Sequence, residues 1–299
     1  MSSFQALQFS RSMIAALKRT LSEPYRSSLG RAWLIFRQLF HSYHTRRLFG
    51  ESAHLVPPLR MMHDGPVGYA EFKENGLEFF RLYVELCDLK PYEKMLDVGC
   101  GIGRKTLPLT SYLSGSGSYD GLDIVKSGID WCVQRYTPQY PNFNFQLLDV
   151  FNRHYNPVGT RRAAEYIFPF DDEQFDFAVL NSVFTHMMPD EVASYLSEVA
   201  RVLKPGGRCL ISFFLLNRES ISLIEAGKST QNLRHEFGPS RAVSRESPEE
   251  AIGYDESYII GLYEKHGLQI KRPIIYGSWC ARLEFVSYQD QILSFKLTG

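Results

Sequence analysis

The sequence predicts an α/β fold, a doubly wound parallel sheet that follows an N-terminal helical extension. Three observations support this prediction. Short apolar runs typical of strands alternate with helical patterns from residue 94 onward. A glycine-rich turn ends the first of these runs. Hydrophobic residues make up 44% of the 299 positions, so the chain can bury a full core without disulfides or metals.

Composition excludes several classes of protein. The 33 basic and 33 acidic side chains give a net charge of zero. Disordered chains usually have a high net charge and nucleic-acid binders an excess of basic residues, so both classes are disfavoured. The five cysteines are widely spaced without a CxxC pair, so we expect thiols in a reducing compartment. No apolar run reaches the roughly 18 residues of a membrane-spanning helix. Basic residues interrupt the N-terminal apolar positions, so no signal peptide is predicted and we expect a cytoplasmic protein.

The first fifty residues carry eight basic side chains against one acid, a net charge of +7 that the rest of the chain balances. Helical spacing runs from Phe4 to Leu21 and again from Trp33 to Tyr43. Such helices usually pack their apolar face on a core, but a basic amphipathic helix can also lie on an anionic membrane. A cleaved targeting peptide has a similar composition. We predict a helical extension over 1–60 and a helical lead-in or lid over 61–92.

The main domain, residues 93–299, is predicted from alternating patterns. Strands are expected at Lys94–Val98, Tyr119–Ile124, Phe143–Leu148, Phe175–Leu180, Cys209–Leu215, Ile270–Tyr276 and Glu284–Tyr288. Helices are expected at Lys105–Leu113, Gly128–Arg135, Glu191–Leu203, Ser220–Glu225 and Ser257–His266, and a turn at Pro205-Gly206-Gly207. Insertions at 151–170 and 216–254, the second a short helix and a polar loop, follow strand ends. We expect both above the carboxyl edge of the sheet, where open α/β folds bind ligands.

The strongest functional signal is the run LDVGCGIGR at 96–104, in which three glycines at spacing two join a strand to a helix. Glycine lets the backbone turn sharply and lets a ligand approach closely. Asp123 ends the next strand, where a carboxylate can accept hydrogen bonds from both hydroxyls of a ribose. Asp149 ends the third strand, where it can accept from the amine of an adenine. Together they indicate a nucleoside pocket, although either acid alone is also an ordinary turn residue.

With these motifs, and with Phe175-Asp176-Phe177 and Leu203–Gly207, the chain resembles class I S-adenosylmethionine-dependent methyltransferases over residues 91–290. The resemblance implies a Rossmann-like sheet of seven strands, the last one antiparallel, and S-adenosyl-L-methionine as cofactor. It also implies a cofactor site formed by Asp97, Gly99, Cys100, Gly101, Gly103, Asp123, Ile124, Asp149, Val150, Asn181 and Ser182. In this family the first acid borders the methionine, and the residues that end the fourth strand lie beneath the methyl group.

The end of the fourth strand also bears on the acceptor. It reads Asn181-Ser182-Val183-Phe184, where amino-methylating relatives have Asn-Pro-Pro-aromatic, so an exocyclic amine is disfavoured. For a hydroxyl acceptor, a general base adds about 10²–10⁴-fold to the rate. His186 is the first candidate base and His154 the second, although either can simply bond a loop backbone. No metal site is predicted, because no further ligands join His41 and His44.

The sequence therefore predicts methyl transfer to a small molecule, at the oxygen of a sugar or secondary metabolite. A membrane-associated enzyme that acts on a lipid or prenyl-linked compound, held by residues 1–50, is the alternative. A non-catalytic partner protein that binds the cofactor is a third hypothesis. The sequence does not define the oligomeric state.

Overall fold

A computed structural model describes residues 23–62, 65 and 67–298. Its strands are β1 (Lys94–Val98), β2 (Ser118–Asp123), β3 (Phe143–Leu147), β4 (Phe175–Leu180), β5 (Leu203–Phe213), β6 (Leu215–Leu216), β7 (His235–Phe237), β8 (Ser240–Ala242), β9 (Ile252–Asp255), β10 (Leu268–Ile270) and β11 (Asp290–Lys296). The main sheet has the order β10-β11-β5-β4-β1-β2-β3. Only β11 in that sheet of the described chain runs antiparallel to its neighbours, so the predicted fold class is confirmed.

Seven α-helices of the described residues surround the sheets. They are α1 (Glu23–Phe49), α2 (Tyr69–Arg81), α3 (Thr106–Leu109), α4 (Lys126–Arg135), α5 (Pro189–Val202), α6 (Arg218–Glu225) and α7 (Glu256–Lys265). A π-helical turn at Leu82–Leu86 follows α2, and 3-10 turns occur at Gly50–Leu55, Leu59–Met61, Ala163–Glu165, Phe184–His186 and Pro248–Glu250. Helix α5 begins with Pro189, whose missing N–H costs nothing there. The Glu191 carboxylate accepts from the backbone N–H of Met188 and caps the same helix.

The core lies on both faces of the main sheet because successive side chains of a strand point in opposite directions. In β4, Phe177 and Val179 pack with the side of the sheet that includes Tyr83. Ala178 and Leu180 pack into the layer on the other face. Every residue of β4 except Asp176 is buried, as a central parallel strand requires.

The two C-terminal strand predictions were wrong in position. The stretch Ile270–Tyr276 ends as a strand at Ile270, because Pro273 has no N–H to donate to a ladder. The last strand is Asp290–Lys296 rather than Glu284–Tyr288. Residues 284–288 form a loop instead, in which the carbonyls of Ser287 and Tyr288 accept backbone bonds from residues 278 and 279.

Two predictions within the main domain also change. Helix α3 ends at Leu109 rather than at Leu113, and Pro108, which lacks an N–H, lies inside it. The Pro205-Gly206-Gly207 turn is a bulge inside β5, where the register with β4 shifts and Gly206 has φ +77°. The strand consequently begins at Leu203, six residues before the predicted start.

The insertion at 216–254 is more ordered than predicted. After α6, it supplies strands to a second sheet of order β6-β9-β8-β7. The polar stretch expected as a loop therefore contains a hairpin, β7–β8, and the short strand β9. Only Phe214 separates β5 of the main sheet from β6 of this small sheet, so the chain passes directly from one to the other.

At the N-terminus, the first predicted helical stretch, Phe4 to Leu21, lies outside the described residues. The second lies within α1. Phe40, Leu48 and Phe49 of α1 pack on a cluster that includes Val56 and Phe72. Among the residues the structure describes, no helix combines the length and apolar character needed to cross a bilayer.

Candidate functional site

A cavity of about 1030 Å³ lies at the carboxyl ends of β1, β2, β3 and β4. Residues after these strands form one side of it, and residues of both insertions form the other. Open α/β folds bind ligands at this edge of the sheet. The cavity therefore occupies the position predicted for a binding site.

The glycine-rich turn forms part of the cavity wall. Gly99 and Gly101 have φ of +85° and +59°, which other residues rarely adopt. A Cβ at Gly101 meets nothing within 4 Å, whereas one at Gly99 lies 2.5 Å from a methyl group of Val183. The Asp123 carboxylate accepts from the backbone N–H of Gly101 and of Val125, each at 2.7 Å. Asp123 thus holds the turn in place while remaining able to accept further hydrogen bonds.

A buried polar group lies at one end of the glycine turn. The hydroxyl of Tyr119 donates to Oδ2 of Asp97 at 2.7 Å, and the amide of Asn181 donates to the hydroxyl of Tyr83 at 2.7 Å. Oδ1 of Asp97 and Oδ1 of Asn181 are buried and have no hydrogen-bond partner among the described residues. Buried acceptors without donors are rare and indicate a missing ligand or water.

Lys105 supplies the positive charge beside this group, and the sequence analysis missed it. Its Nζ lies 3.5 Å from the carbonyl of Asn181 and 5.1 Å from the ring centre of Phe79. Burial raises the pKa of Asp97 and lowers the pKa of Lys105. The two unpartnered acceptor oxygens complement the ammonium of an α-amino acid, and the Lys105 ammonium complements its carboxylate. The position of Lys105 directly after the glycine turn was the available signal.

The structure brings together most of the predicted cofactor residues. Those that line the cavity are Gly99, Cys100, Gly101, Asp123, Ile124, Val150, Asn181 and Ser182. Asp97, Gly103 and Asp149 do not line it. A Cβ on Gly103 is 2.9 Å from the hydroxyl of Tyr136, so this glycine allows close packing in the core. Burial raises the pKa of the Cys100 thiol well above its usual range, as suits a packing role.

Asp149 is turned away from the cavity. Its carboxylate accepts from the backbone N–H of Thr160 at 2.9 Å and also from the Thr160 hydroxyl. These bonds lower the pKa of Asp149. The structure therefore uses Asp149 to hold the first insertion, and its contact with an adenine amine stays a prediction.

Ser182 has an unusual backbone and a specific partner. Its φ is +61°, in the left-handed region that costs a non-glycine residue free energy. Its hydroxyl donates to Oε1 of Gln289 at 3.0 Å, and Ser212 donates to the same oxygen at 2.6 Å. The loop before β11 thereby reaches the cavity wall at the end of β4.

Both predicted histidines line the cavity, and their surroundings differ. Nδ1 of His186 lies 2.9 Å from the carbonyl oxygen of Glu249. A carbonyl can only accept, so Nδ1 carries a proton, and in the neutral ring Nε2 then carries the lone pair. The hydroxyl of Tyr155 lies 3.5 Å from Nε2. His154 is exposed and its ring contacts Tyr155 edge to face, with 4.7 Å between centres.

The half of the cavity around His186 has apolar side chains beside polar ones such as Asn152, Gln231 and Asn232. Its walls include Tyr155, Met187, Tyr195, Phe214, Val243 and Ala251. Two acids, Glu191 and Glu250, line this half, and no lysine or arginine of the described residues does. Burial raises the pKa of Glu191. These residues come from separate elements, so only the placement of the insertions after strand ends indicated them in the sequence.

No group of three His, Cys, Asp or Glu side chains in the described part of the chain is arranged to hold a metal ion. His41 bonds instead to the hydroxyl of Tyr69 through Nδ1 at 2.8 Å. The ring of His44 stacks on the same tyrosine, with 6.2 Å between centres. Both residues therefore join α1 to α2.

Comparison with known proteins identifies the central part of the chain. A family model described as a methyltransferase domain matches residues 96–211. The phthiotriol/phenolphthiotriol dimycocerosates methyltransferase of Mycobacterium tuberculosis (strain H37Rv) is 36% identical over 115 residues, which are 38% of this chain and 35% of that protein. The fatty-acid O-methyltransferase of Mycolicibacterium smegmatis is 28% identical over 179 residues, 57% of this chain and 56% of the relative. The match thus spans about a third of the mycobacterial relative.

Among solved structures, the PH0226 protein of Pyrococcus horikoshii has a similar fold. The TM-score is 0.51 at 16% sequence identity, over 76% of this chain and 92% of that chain. At this identity the likeness concerns the fold alone.

Proposed function

We propose that this chain, which belongs to the class I S-adenosylmethionine-dependent methyltransferases, methylates a hydroxyl oxygen of a neutral, partly apolar molecule. The observation that carries the proposal is His186. Its protonated Nδ1 is held by the Glu249 carbonyl, so the basic Nε2 is oriented in the same cavity as the glycine turn. A base fixed in this way suits removal of a hydroxyl proton.

The residues around the glycine turn fit S-adenosylmethionine. Asn181 lines the cavity and offers an unpartnered acceptor oxygen for an α-ammonium, while the unpartnered oxygen of Asp97 is buried behind the wall. Lys105 offers the charge for a carboxylate. Asp123 would accept from the ribose hydroxyls. When bound, the cofactor supplies a methyl group activated by a positively charged sulfur. These side chains bind and orient, which can supply roughly 7–11 kcal/mol of the barrier.

In the proposed reaction the acceptor hydroxyl takes the place of the Tyr155 hydroxyl near Nε2 of His186. The bound cofactor would supply the methyl group in exchange for its carbon–sulfur bond, and the acceptor oxygen would take that methyl group. Nε2 of His186 would accept the proton of the hydroxyl. His186 then returns its proton to water.

The lining of the acceptor half supports a neutral acceptor. Glu191 and Glu250 would repel a carboxylate, and no cation of the described lining compensates on that side. The aromatic and aliphatic walls would bury an apolar portion of the molecule.

The first test is transfer of label from methyl-labelled S-adenosylmethionine to host extract separated into polar metabolites, lipids, RNA and protein. Asp123→Ala serves as the blank, because loss of this carboxylate removes the ribose acceptor and frees the glycine turn. We expect label in a metabolite or lipid fraction from the wild-type protein only. Label in protein or RNA, or no label despite measured cofactor binding, would contradict the proposal.

His186 is tested by substitution. His186→Ala should lower kcat by about 10²–10⁴-fold, the contribution of a general base, with an unchanged Kd for the cofactor. His154→Ala is the matched control, because it removes an exposed histidine from the same wall and should leave kcat within a few-fold. Equal losses in the two variants would rule out a base role for His186.

A lipid hydroxyl is the second candidate acceptor, favoured by the surface next to the cavity. Leu283, Phe285 and Val286 are exposed and directly precede Ser287, Tyr288 and Gln289 of the lining. An apolar surface at this point would accommodate an alkyl chain too long for the cavity. The names of both mycobacterial relatives refer to lipid substrates, which agrees with this candidate. Label recovered in the lipid fraction would select it.

A further inference from the structure

Helix α1 has an inner apolar face that packs on the domain and a second apolar face whose side chains are largely exposed. On the inner face, Phe40, Leu48 and Phe49 contact the cluster that includes Phe72. On the other face, Ile35, Phe36, Leu39 and Tyr43 are 59%, 47%, 65% and 61% exposed. Four large apolar side chains exposed together on one helix are unusual for a surface that faces water alone.

The exposed residues form a continuous stripe. At about 100° per residue, Ile35, Phe36, Leu39 and Tyr43 fall within an arc of about 100° on α1. Arg46 extends the same stripe by one turn, and Arg47 lies at its edge; both are exposed. A stripe of this width matches the apolar face of a helix that lies in a membrane interface.

The net charge of α1 indicates which kind of surface could cover the stripe. From Glu23 to Phe49 the helix carries five arginines and one acid, a net charge of +4 on a protein of zero net charge. A second copy would bring two basic helices together, and residues 1–22 are themselves basic. An anionic lipid surface complements the same charge, at about 1 kcal/mol for each arginine near it, or roughly fivefold in affinity.

We propose that α1 lies along the surface of an anionic membrane. In this arrangement Ile35, Phe36, Leu39 and Tyr43 enter the boundary between headgroups and acyl chains. Arg46 and Arg47 lie at the level of the phosphates. The inner face of the helix keeps its contacts with the methyltransferase domain, so the whole enzyme is held at the surface. This inference does not depend on which acceptor is methylated.

The test is co-sedimentation of the full chain with vesicles of phosphatidylcholine alone or mixed with phosphatidylglycerol. We expect binding to the anionic vesicles, weakened by salt, and little to the neutral ones. Ile35→Ser with Leu39→Ser should lower the partition coefficient at least tenfold. Arg46→Gln with Arg47→Gln should lower it by roughly 25-fold if each arginine contributes as above. The double variant Val158→Ser with Ile167→Ser, exposed apolar positions in the first insertion, is the matched control and should bind like the wild type.

Circular dichroism and cofactor affinity establish that each variant is folded, which is expected because the altered side chains face outward. Absence of binding by the wild type, or equal binding by wild type and stripe variants, would overturn the proposal. Light scattering distinguishes the remaining occupant. A dimer that dissociates in Ile35→Ser with Leu39→Ser, without vesicle binding by the wild type, would show that the stripe is an interface between copies.

Discussion

The Lys105 ammonium lies in a part of the cavity where burial disfavours the charged form. Burial lowers its pKa, while the carboxylate of Asp97 acts in the opposite direction. An ammonium attracts the carboxylate of an amino acid only while it is protonated. The affinity of the proposed cofactor should therefore depend on the protonation of this one side chain.

We predict that cofactor affinity falls as pH rises through the lowered pKa of Lys105, because the charge is lost before the pH that an exposed lysine requires. Calorimetric Kd values over a series of alkaline pH values measure this. Lys105→Met should weaken binding about tenfold or more near neutral pH and remove most of the alkaline dependence. Lys126→Met, which removes an exposed lysine from α4, is the control. The same pH dependence in Lys105→Met and wild type would contradict the role.

The proposal that His186 acts as a base depends on one atom, Nε2. Its position after the fourth strand was visible in the sequence, but two nitrogens of one ring can play opposite roles. The assignment of Nε2 as the basic atom comes from the Glu249 carbonyl, 63 residues away in the chain. That partner lies in the second insertion, where sequence periodicity says nothing about contacts.

The first insertion is an element held at its two ends. The backbone N–H of Phe151 donates to the carbonyl of Arg161, and the N–H of Arg161 donates to the carbonyl of Asp149. The side chain of Asp149 adds its bonds to Thr160. Tyr155 and His154 lie on the loop between these ends, so we expect its stability to affect the half of the cavity around His186.

We predict that Thr160→Val loosens this loop. Loss of one hydroxyl bond to an exposed carboxylate should speed amide hydrogen exchange in residues 151–161 by about two- to tenfold. The KM for the acceptor should rise while the Kd for the cofactor stays unchanged. Thr137→Val removes a comparable bond, from the Thr137 hydroxyl to the carbonyl of Phe143, and should not alter exchange in the loop. Unchanged exchange in Thr160→Val would show that the backbone bonds suffice.

Elements marked by a run of apolar residues could be predicted from the sequence. Features that depend on contacts with residues far away in the chain could not. The bounds of β1 and β4 agree with the sequence, since each is an apolar run between turn residues. The last strand was misplaced because 284–288 and 290–296 are both short stretches with apolar residues, and only pairing with β5 distinguishes them. The glycine turn and Asp123 were found through spacing. The orientation of Asp149 depends on Thr160, which no local pattern indicates.

At the scale of the whole molecule, Asp290 joins the two sheets. This fully buried carboxylate accepts from the N–H groups of Leu215 and Gly277, from Nε1 of Trp279 and from the guanidinium of Arg282, all at 2.7 or 2.8 Å. Leu215 begins the small sheet and Asp290 begins β11 of the main sheet. A single side chain thus satisfies donors from two segments, residue 215 and residues 277–282.

We predict that Asp290→Ala lowers the free energy of unfolding by about 3–5 kcal/mol, because it leaves a buried guanidinium without its carboxylate. Denaturant unfolding followed by circular dichroism measures the change. Asp130→Ala, which removes an exposed carboxylate paired with Lys126, should alter stability by no more than about 0.5 kcal/mol. A loss as small as that of the control would mean that Arg282 finds sufficient partners in Glu219 and the Gly277 carbonyl.

The chain passes from β5 into β6 through Phe214, which fixes the small sheet next to the main sheet. The N–H of Tyr254 donates to the Phe214 carbonyl and adds a second connection at the same point. The loops 151–160 and 244–250 meet where Arg153 donates to the carbonyl of Glu246, and His186 donates to the carbonyl of Glu249 in the second of them. Neither loop supplies a residue of the glycine turn. If the acceptor binds around His186 as we propose, exchange of these two loops between related enzymes should change the acceptor and leave cofactor binding as it is.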